Sequence, residues 1–215
     1  MDSPLPGIAP LLESLASETE PHNHASPGEG VGYLGLVCGP MFSGKTSLLA
    51  SWYHKLQRIA HVPTLILNHA SDVRFSSEQD ICTHDGRAVP CAMVHRLEEC
   101  EDMVEYVQAR CVLINEVQFF ESVQWVVRAV EQQGKTVICF GLDGDFQRRP
   151  FANNWMQELT PLADSVTKMS ALCTRCKRRS APFSLRLDAT VTDQVCVGGV
   201  ESYAPRCRRC YLKQK

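Results

Sequence analysis

Residues 39–46 read GPMFSGKT and fit the pattern G-x-x-x-x-G-K-[ST] without a mismatch. Glycines let such a loop curl, so that successive backbone N–H groups face phosphate oxygens. A helix starting near Lys45 adds the positive end of its dipole. Lys45 has the reach for β- and γ-phosphates, and the Thr46 hydroxyl suits a magnesium ion. Gly39, Pro40, Met41, Phe42, Ser43, Gly44, Lys45, Thr46 and Ser47 are therefore a candidate cradle for ATP with magnesium. A structural turn is the bland alternative. The second chemical group lies in CVLINEVQFF, residues 111–120. In P-loop proteins a carboxylate at the end of a neighbouring buried strand holds the metal. Here Asn115 stands at that place and the acid follows as Glu116. A carboxylate beside a γ-phosphate can also act as general base toward an attacking hydroxyl. Otherwise Glu116 only closes a strand at the surface.

Two C-x-x-C pairs, Cys173/Cys176 and Cys207/Cys210, are separated by 30 residues. Together they offer four thiolates, a complete tetrahedral set for zinc with no position left for water, so the zinc is expected to be structural. It would staple the segment 177–206, which has too few apolar residues to fold alone. The other seven of the eleven cysteines show no ligand spacing and read mostly as small buried residues.

These groups need a scaffold. YLGLVC, TLILN, CVLIN and TVICFGL are short apolar runs, read as strands at 33–38, 64–68, 111–115 and 136–142. Helices are expected at 45–60, 97–110 and 123–134, with residues 69–95 irregular. Continuous apolar strands alternating with helices predict a parallel sheet covered on both faces, an α/β fold of the P-loop type. After about residue 166 the pattern changes to short strand candidates, VTKMSAL, PFSLRL and QVCVG, flanked by the cysteine pairs. The expected division is a flexible tail at 1–30, a P-loop domain at 31–170 and a zinc-binding domain at 171–215. Within the tail, PLLESLAS could form a short helical turn.

The 215 residues, 44% of them hydrophobic, suffice for one substantial domain with a small appendage. A net charge of −2 gives no whole-chain signal for nucleic acid. The charge is uneven: residues 1–30 hold five acids and no Lys or Arg, while ten bases and three acids follow from Cys173 onward. That basic end could meet phosphates or be a solvated face. No apolar run approaches the roughly 18 residues of a membrane span. The N-terminus has neither a secretory nor a transit pattern, so a cytoplasmic location is expected, where thiols stay reduced.

The ordered set GPMFSGKT, DVRFSS, CTHDG, NEVQFF, GKTV, LDGDFQRRPF, PLADSVTKMSALC and VGGVESYAPRCRRC resembles the type II thymidine kinases over residues 32–211. The resemblance implies a P-loop core joined to a small zinc-ribbon domain whose lasso loop closes over the nucleoside. It implies transfer of the γ-phosphate of ATP to the 5′-hydroxyl of thymidine, with no nucleic-acid or membrane partner, and a homotetramer. Carried over by position, Glu116 would be the base, Arg74 would stabilise the transferring phosphoryl group, and Asp72 and Gln118 would lie near the sugar. Arg186 resembles a second phosphate-facing arginine. Met41, Phe119, Leu142, Phe146 and Tyr203 would wall the base pocket, and main-chain groups of the lasso, around Val195, Cys196, Val197, Gly198, Gly199 and Val200, would read the base. The chain departs from the family at Asn115, where aspartate is usual, at Val117, where a small residue is usual, and at Gln194 and Cys196, where the lasso carries β-branched residues. Two other readings compete: a nucleotide-binding chain with little catalysis, supported by Asn115, and a zinc-ribbon nucleic-acid-binding ATPase. Against the latter, the zinc segment lacks the aromatic interleaving that base stacking uses.

Overall fold

The computed structural model describes residues 31–72, 80–82, 88–188, 190, 193–194, 198 and 201–213. Arg74, Val195, Cys196, Val197, Gly199, the PLLESLAS segment and most of QVCVG lie outside these residues.

Six strands form one all-parallel sheet: β1 (Tyr33–Cys38), β2 (Thr64–His69), β5 (Ala92–Val94), β6 (Cys111–Ile114), β7 (Thr136–Gly141) and β8 (Ser165–Lys168). Their spatial order is β5-β2-β6-β7-β1-β8. Side chains alternate across each strand, and both faces are apolar. Leu34, Leu36 and Cys38 pack with Val112, Ile114, Val137 and Cys139 on one face. Helix α3 (Gln124–Glu131) and helix α4 (Trp155–Leu159) cover that face through Trp125, Val126, Trp155 and Leu159. Val37, Ile66, Leu113, Ile138 and Phe140 point the other way, onto Leu48, Leu49 and Trp52 of helix α1 (Lys45–His54). A π-helical turn, Lys55–Ile59, continues α1 and buries Leu56.

Three sequence expectations change. Residues 69–95 are not wholly irregular: β3 (Asp80–Cys82) and β4 (Ala88–Pro90) form a small antiparallel pair, and β5 joins the main sheet beside β2. Each has three residues, too short to show a period. The helix expected at 97–110 is broken into a 3₁₀ turn, Leu97–Cys100, and helix α2 (Val104–Gln108). A continuous helix would place Val104 and Val107 on the stripe begun by Leu97 and Cys100. The break rotates them outward, to 65% and 70% exposure, and buries Tyr106 against Trp125 instead. VTKMSAL, finally, is divided: β8 ends in the main sheet, and β9 (Ala171–Leu172) begins the C-terminal lobe that carries the cysteine pairs.

In that lobe β9 pairs with β10 (Ser180–Ala181), and β11 (Phe183–Arg186) with β12 (Tyr203–Arg206), both antiparallel. Helix α5 (Arg208–Leu212) closes it. Its own core is Cys173, Ala181, Cys207 and Cys210, with Ala171 and Cys176 against them. No large apolar side chain belongs to that cluster. Among the described residues no helix is long and apolar enough to cross a membrane.

Candidate active site

Parallel strands bring their C-terminal ends to one edge, where open α/β sheets bind ligands. β1 delivers the loop 39–46 there, β2 delivers Asp72, β6 delivers Asn115 and Glu116, and β7 delivers Leu142.

The loop leaves β1 at Gly39, whose φ is +154°. A β-carbon there would lie 2.6 Å from the Met169 carbonyl oxygen, so the position admits only glycine. Phe42 is held at φ +63°, a left-handed conformation uncommon for a side chain of its size. Lys45, 6% exposed, donates from Nζ to the carbonyls of Gly39 and Pro40 at 3.1 and 2.9 Å. It thus folds over the loop it follows. Ser43 Oγ is buried and has no hydrogen-bond partner among the described residues. Cys38, just before the loop, is pushed up to about 11 by burial and the nearby Asp143 carboxylate, so it is an inert thiol. Asp143 pairs with Lys168 at 2.6 Å across the end of β1.

Asn115 and Glu116 end up in different roles. Asn115 is buried, and its Nδ2 donates to Asn68 Oδ1 on β2 at 3.0 Å. Glu116 is in the left-handed region at φ +49° and is also buried. Its Oε2 accepts from Gln118 Nε2 at 2.6 Å, and Gln118 Oε1 accepts the Leu142 N–H at 3.0 Å. The carboxylate is therefore aimed by a side chain that is itself fixed to the end of β7. Gly141 permits this closeness: a β-carbon there would meet Val117, Gln118 and Trp155 within 2.9 Å. Val117 does not crowd the edge. It is fully buried and joins the core. Asn153 braces the turn Val117–Phe119 by donating to the carbonyls of Val117 and Phe120.

Asp72 is buried at the end of the turn after β2, and its N–H donates to the His69 carbonyl at 2.9 Å. Phe119 stands on the same side, 6.2 Å from the His69 ring. Leu142 is half-buried, and its carbonyl accepts from Trp155 Nε1.

A second group comes from the C-terminal cysteine lobe. The Met41 N–H donates to Ser184 Oγ at 2.9 Å, joining the loop to β11. Arg186 is 7% exposed. Its guanidinium lies 3.9 Å from the Phe146 ring centroid, and it donates to the Tyr203 hydroxyl and to the carbonyls of Asp193 and Gln194. These contacts make it a strut beneath Asp193 and Gln194. Gln194 donates to Asp145 Oδ2 and to the Pro150 carbonyl, at 3.1 and 2.8 Å. A β-branched apolar residue could not make either bond. Asp145 also accepts the Gln147 and Arg149 N–H groups and Arg149 Nε. Gly198 lies against Ser202.

The four Sγ atoms of Cys173, Cys176, Cys207 and Cys210 lie within 4.8 Å of one another. Tetrahedral zinc with bonds of about 2.3 Å needs sulfurs about 3.8 Å apart, and Cys176 and Cys207 are at 4.0 Å. The set fits a structural zinc. Burial alone would raise the Cys173 thiol, but the backbone N–H groups of Cys176, Cys207 and Arg175 lower it to about 6, as a metal thiolate requires. Cys100 is pushed up to about 12, and Cys111 and Cys139 well up, by burial. They are core residues.

Sequence reasoning named Met41, Lys45, Asp72, Glu116, Gln118, Phe119, Leu142, Phe146, Arg186 and Tyr203, and all lie along this edge or the lobe facing it. It missed His69, which closes the turn bearing Asp72, and Asn68, Asp145 and Trp155, which touch the site through contacts distant in sequence.

A family model described as thymidine kinase matches residues 32–211. The chain is 36% identical over 192 residues to the cytosolic thymidine kinase of Homo sapiens, covering 88% of this chain and 77% of the human protein. It is 34% identical over 181 residues to the thymidine kinase of Rabbit fibroma virus (strain Kasza), covering 84% and 97%. It is 33% identical over 201 residues to the thymidine kinase of Oryza sativa subsp. japonica, covering 92% and 70%. With a family model spanning the P-loop, the Glu116 edge and both cysteine pairs, the chain belongs to the thymidine kinase family.

Proposed function

We propose that the chain transfers the γ-phosphoryl group of ATP to the 5′-hydroxyl of thymidine. The observation that carries this reading is the buried Glu116 carboxylate, held at 2.6 Å by Gln118 on the sheet edge that also bears the P-loop. Glu116 takes the 5′-hydroxyl proton as that oxygen bonds to the γ-phosphorus. The bridge to the β-phosphate breaks and ADP leaves. The loop amides and Lys45 hold the phosphates, Lys45 exchanging its bonds to Gly39 and Pro40 for phosphate oxygens. Buried Ser43 Oγ supplies a further donor, with no partner among the described residues. A magnesium ion, held by Thr46 and by water that Asn115 orients, would neutralise phosphate charge. Asp72 and Gln118 bind the sugar, Arg74 stabilises charge on the moving group, and Phe119, Leu142, Phe146 and Tyr203 wall the base. The lasso main chain from Val195 to Gly199 reads the base, and Arg186 holds its first residues in place.

The same reading includes a structural zinc on the four cysteines, domains at 31–170 and 171–215, and a homotetramer in the cytoplasm. Incubation with radiolabelled thymidine, ATP and magnesium should yield labelled thymidine monophosphate. Nucleotide binding without product would favour the non-catalytic reading, and ATP hydrolysis stimulated by nucleic acid the third.

A further inference from the structure

Asp72 reaches the site through a turn that a histidine closes. β2 ends at His69, and the Asp72 N–H returns to the His69 carbonyl at 2.9 Å. The imidazole closes the same turn a second time. Its Nδ1 lies 2.6 Å from Ser71 Oγ and accepts the Ser71 N–H at 3.2 Å. A backbone amide can only donate, so this contact requires Nδ1 without its proton and places the hydrogen on Nε2. The ring stands edge-on to Phe120 at 5.0 Å and to His95 at 6.0 Å, and touches Phe119 at 6.2 Å. One ring therefore braces both the turn bearing Asp72 and one wall of the nucleoside pocket.

We infer that His69 is a positioning residue for the nucleoside, its neutral imidazole fixing the 69–72 turn so that Asp72 meets the sugar. This rests on the thymidine reading for its ligand, though not for its geometry. The charged groups facing the ring are His95 at the end of β5, Asp72 on its own turn and Glu99 of the following 3₁₀ turn, the last paired with Arg96. Burial, reinforced by His95, lowers the His69 pKa from 6.5, so the ring is neutral at pH 7. As the pH falls through that lowered pKa, Nδ1 gains a proton and the Ser71 N–H loses its acceptor. The turn then loosens and nucleoside binding weakens.

Two variants and one spectroscopic measurement test this. His69→Asn puts an amide oxygen where Nδ1 stands but cannot titrate. His69→Phe keeps a ring and removes the acceptor. The KM for thymidine should rise roughly three- to tenfold in His69→Phe, the factor one intramolecular hydrogen bond is worth, with kcat nearly unchanged. His69→Asn should restore the wild-type KM at pH 7 and abolish its rise in acid. Thermal melts of both variants show that they fold. ¹⁵N NMR of the wild-type ring, read without substrate, should show Nδ1 unprotonated at pH 7.5. An Nδ1–H tautomer overturns the inference whether or not the protein phosphorylates thymidine. So does a His69→Asn KM that rises with acid as the wild type does, or a His69→Phe change confined to kcat. If the wild type makes no thymidine monophosphate while the NMR finds Nδ1 bare, the substrate reading fails and the positioning geometry stands.

Discussion

Replacing Glu116 by glutamine separates proton transfer from every other duty of the residue. Gln118 Nε2 donates to Glu116 Oε2 at 2.6 Å, and a glutamine oxygen at 116 can accept the same bond. The left-handed backbone at φ +49° disfavours glutamine no more than glutamate, because both carry a β-carbon. A charge-assisted bond becomes a neutral one, a loss of about 1 kcal/mol, partly offset because a buried charge is no longer desolvated. Stability should therefore change by about 1 kcal/mol or less, a shift of a few degrees in Tm. The proton acceptor is lost completely. General-base catalysis contributes about 100- to 10,000-fold, or about 2.7–5.4 kcal/mol of barrier. The assay is turnover of radiolabelled thymidine at saturating ATP, with thymidine affinity measured separately by calorimetry. Turnover should fall by that factor while affinity stays within about twofold. A loss of turnover below tenfold, with melting and affinity intact, would refute Glu116 as the base. If the variant instead needed far more magnesium and recovered at high concentration, Glu116 would be the metal's residue, and Asp72 the next candidate base.

Lys45→Ala removes the only cation of the 39–47 loop, and turnover should fall heavily while the fold survives; turnover within about threefold, worth only about 0.7 kcal/mol, would contradict the phosphate cradle. Purified protein should carry one zinc per chain, measured by elemental analysis, and Cys207→Ser should lose the metal, loosen the lobe and abolish thymidine binding, since among the described residues the cluster around the cysteines otherwise holds only two alanines. Asn115→Asp restores the charge usual in the family and should move the magnesium requirement to lower concentration, with turnover equal or higher. The cost is that aspartate cannot donate to Asn68 Oδ1, so Asn68 must turn its amide and give up a weak 3.6 Å contact with Met93 Sδ. An unchanged magnesium titration would remove Asn115 from the metal's surroundings.

The parts legible in the sequence are those whose partners are neighbours in the chain. The phosphate loop and each cysteine pair are contiguous, and β1, β2, β6 and β7 are each built on a short apolar run. What was hidden depends on distant contacts. The break between Leu97–Cys100 and α2 is set by the place Tyr106 takes beside Trp125, and the apolar spacing from 97 to 110 carries no trace of it. β5 has three residues and gains its place only by pairing with β2. Gln194 reads as an odd residue in the lasso, yet its amide finds Asp145 and Pro150 more than forty residues away. The left-handed backbone at Glu116 has no compositional sign, because no glycine or asparagine occupies the position.

The same long-range contacts explain how a four-cysteine site remote in sequence would bear on the proposed phosphoryl transfer. The cysteines tie β9, β12 and α5 together, and β12 holds β11 in register through Ser184↔Pro205 and Arg186↔Tyr203. From β11 two side chains reach the site at different points. Ser184 accepts the Met41 N–H and so bears on the nucleotide loop. Arg186 grips the carbonyls of Asp193 and Gln194 and stacks on Phe146, and so bears on the lasso and the base wall. From α5, Tyr211 donates to the Phe146 carbonyl at 2.6 Å and fixes that wall from behind. A metal that ordered only a peripheral lobe could be lost with a change in stability alone. Here β11 is shared by the ATP side and the nucleoside side, so loosening it weakens both substrates together and leaves the Glu116–Gln118 pair, anchored on β6 and β7, in place.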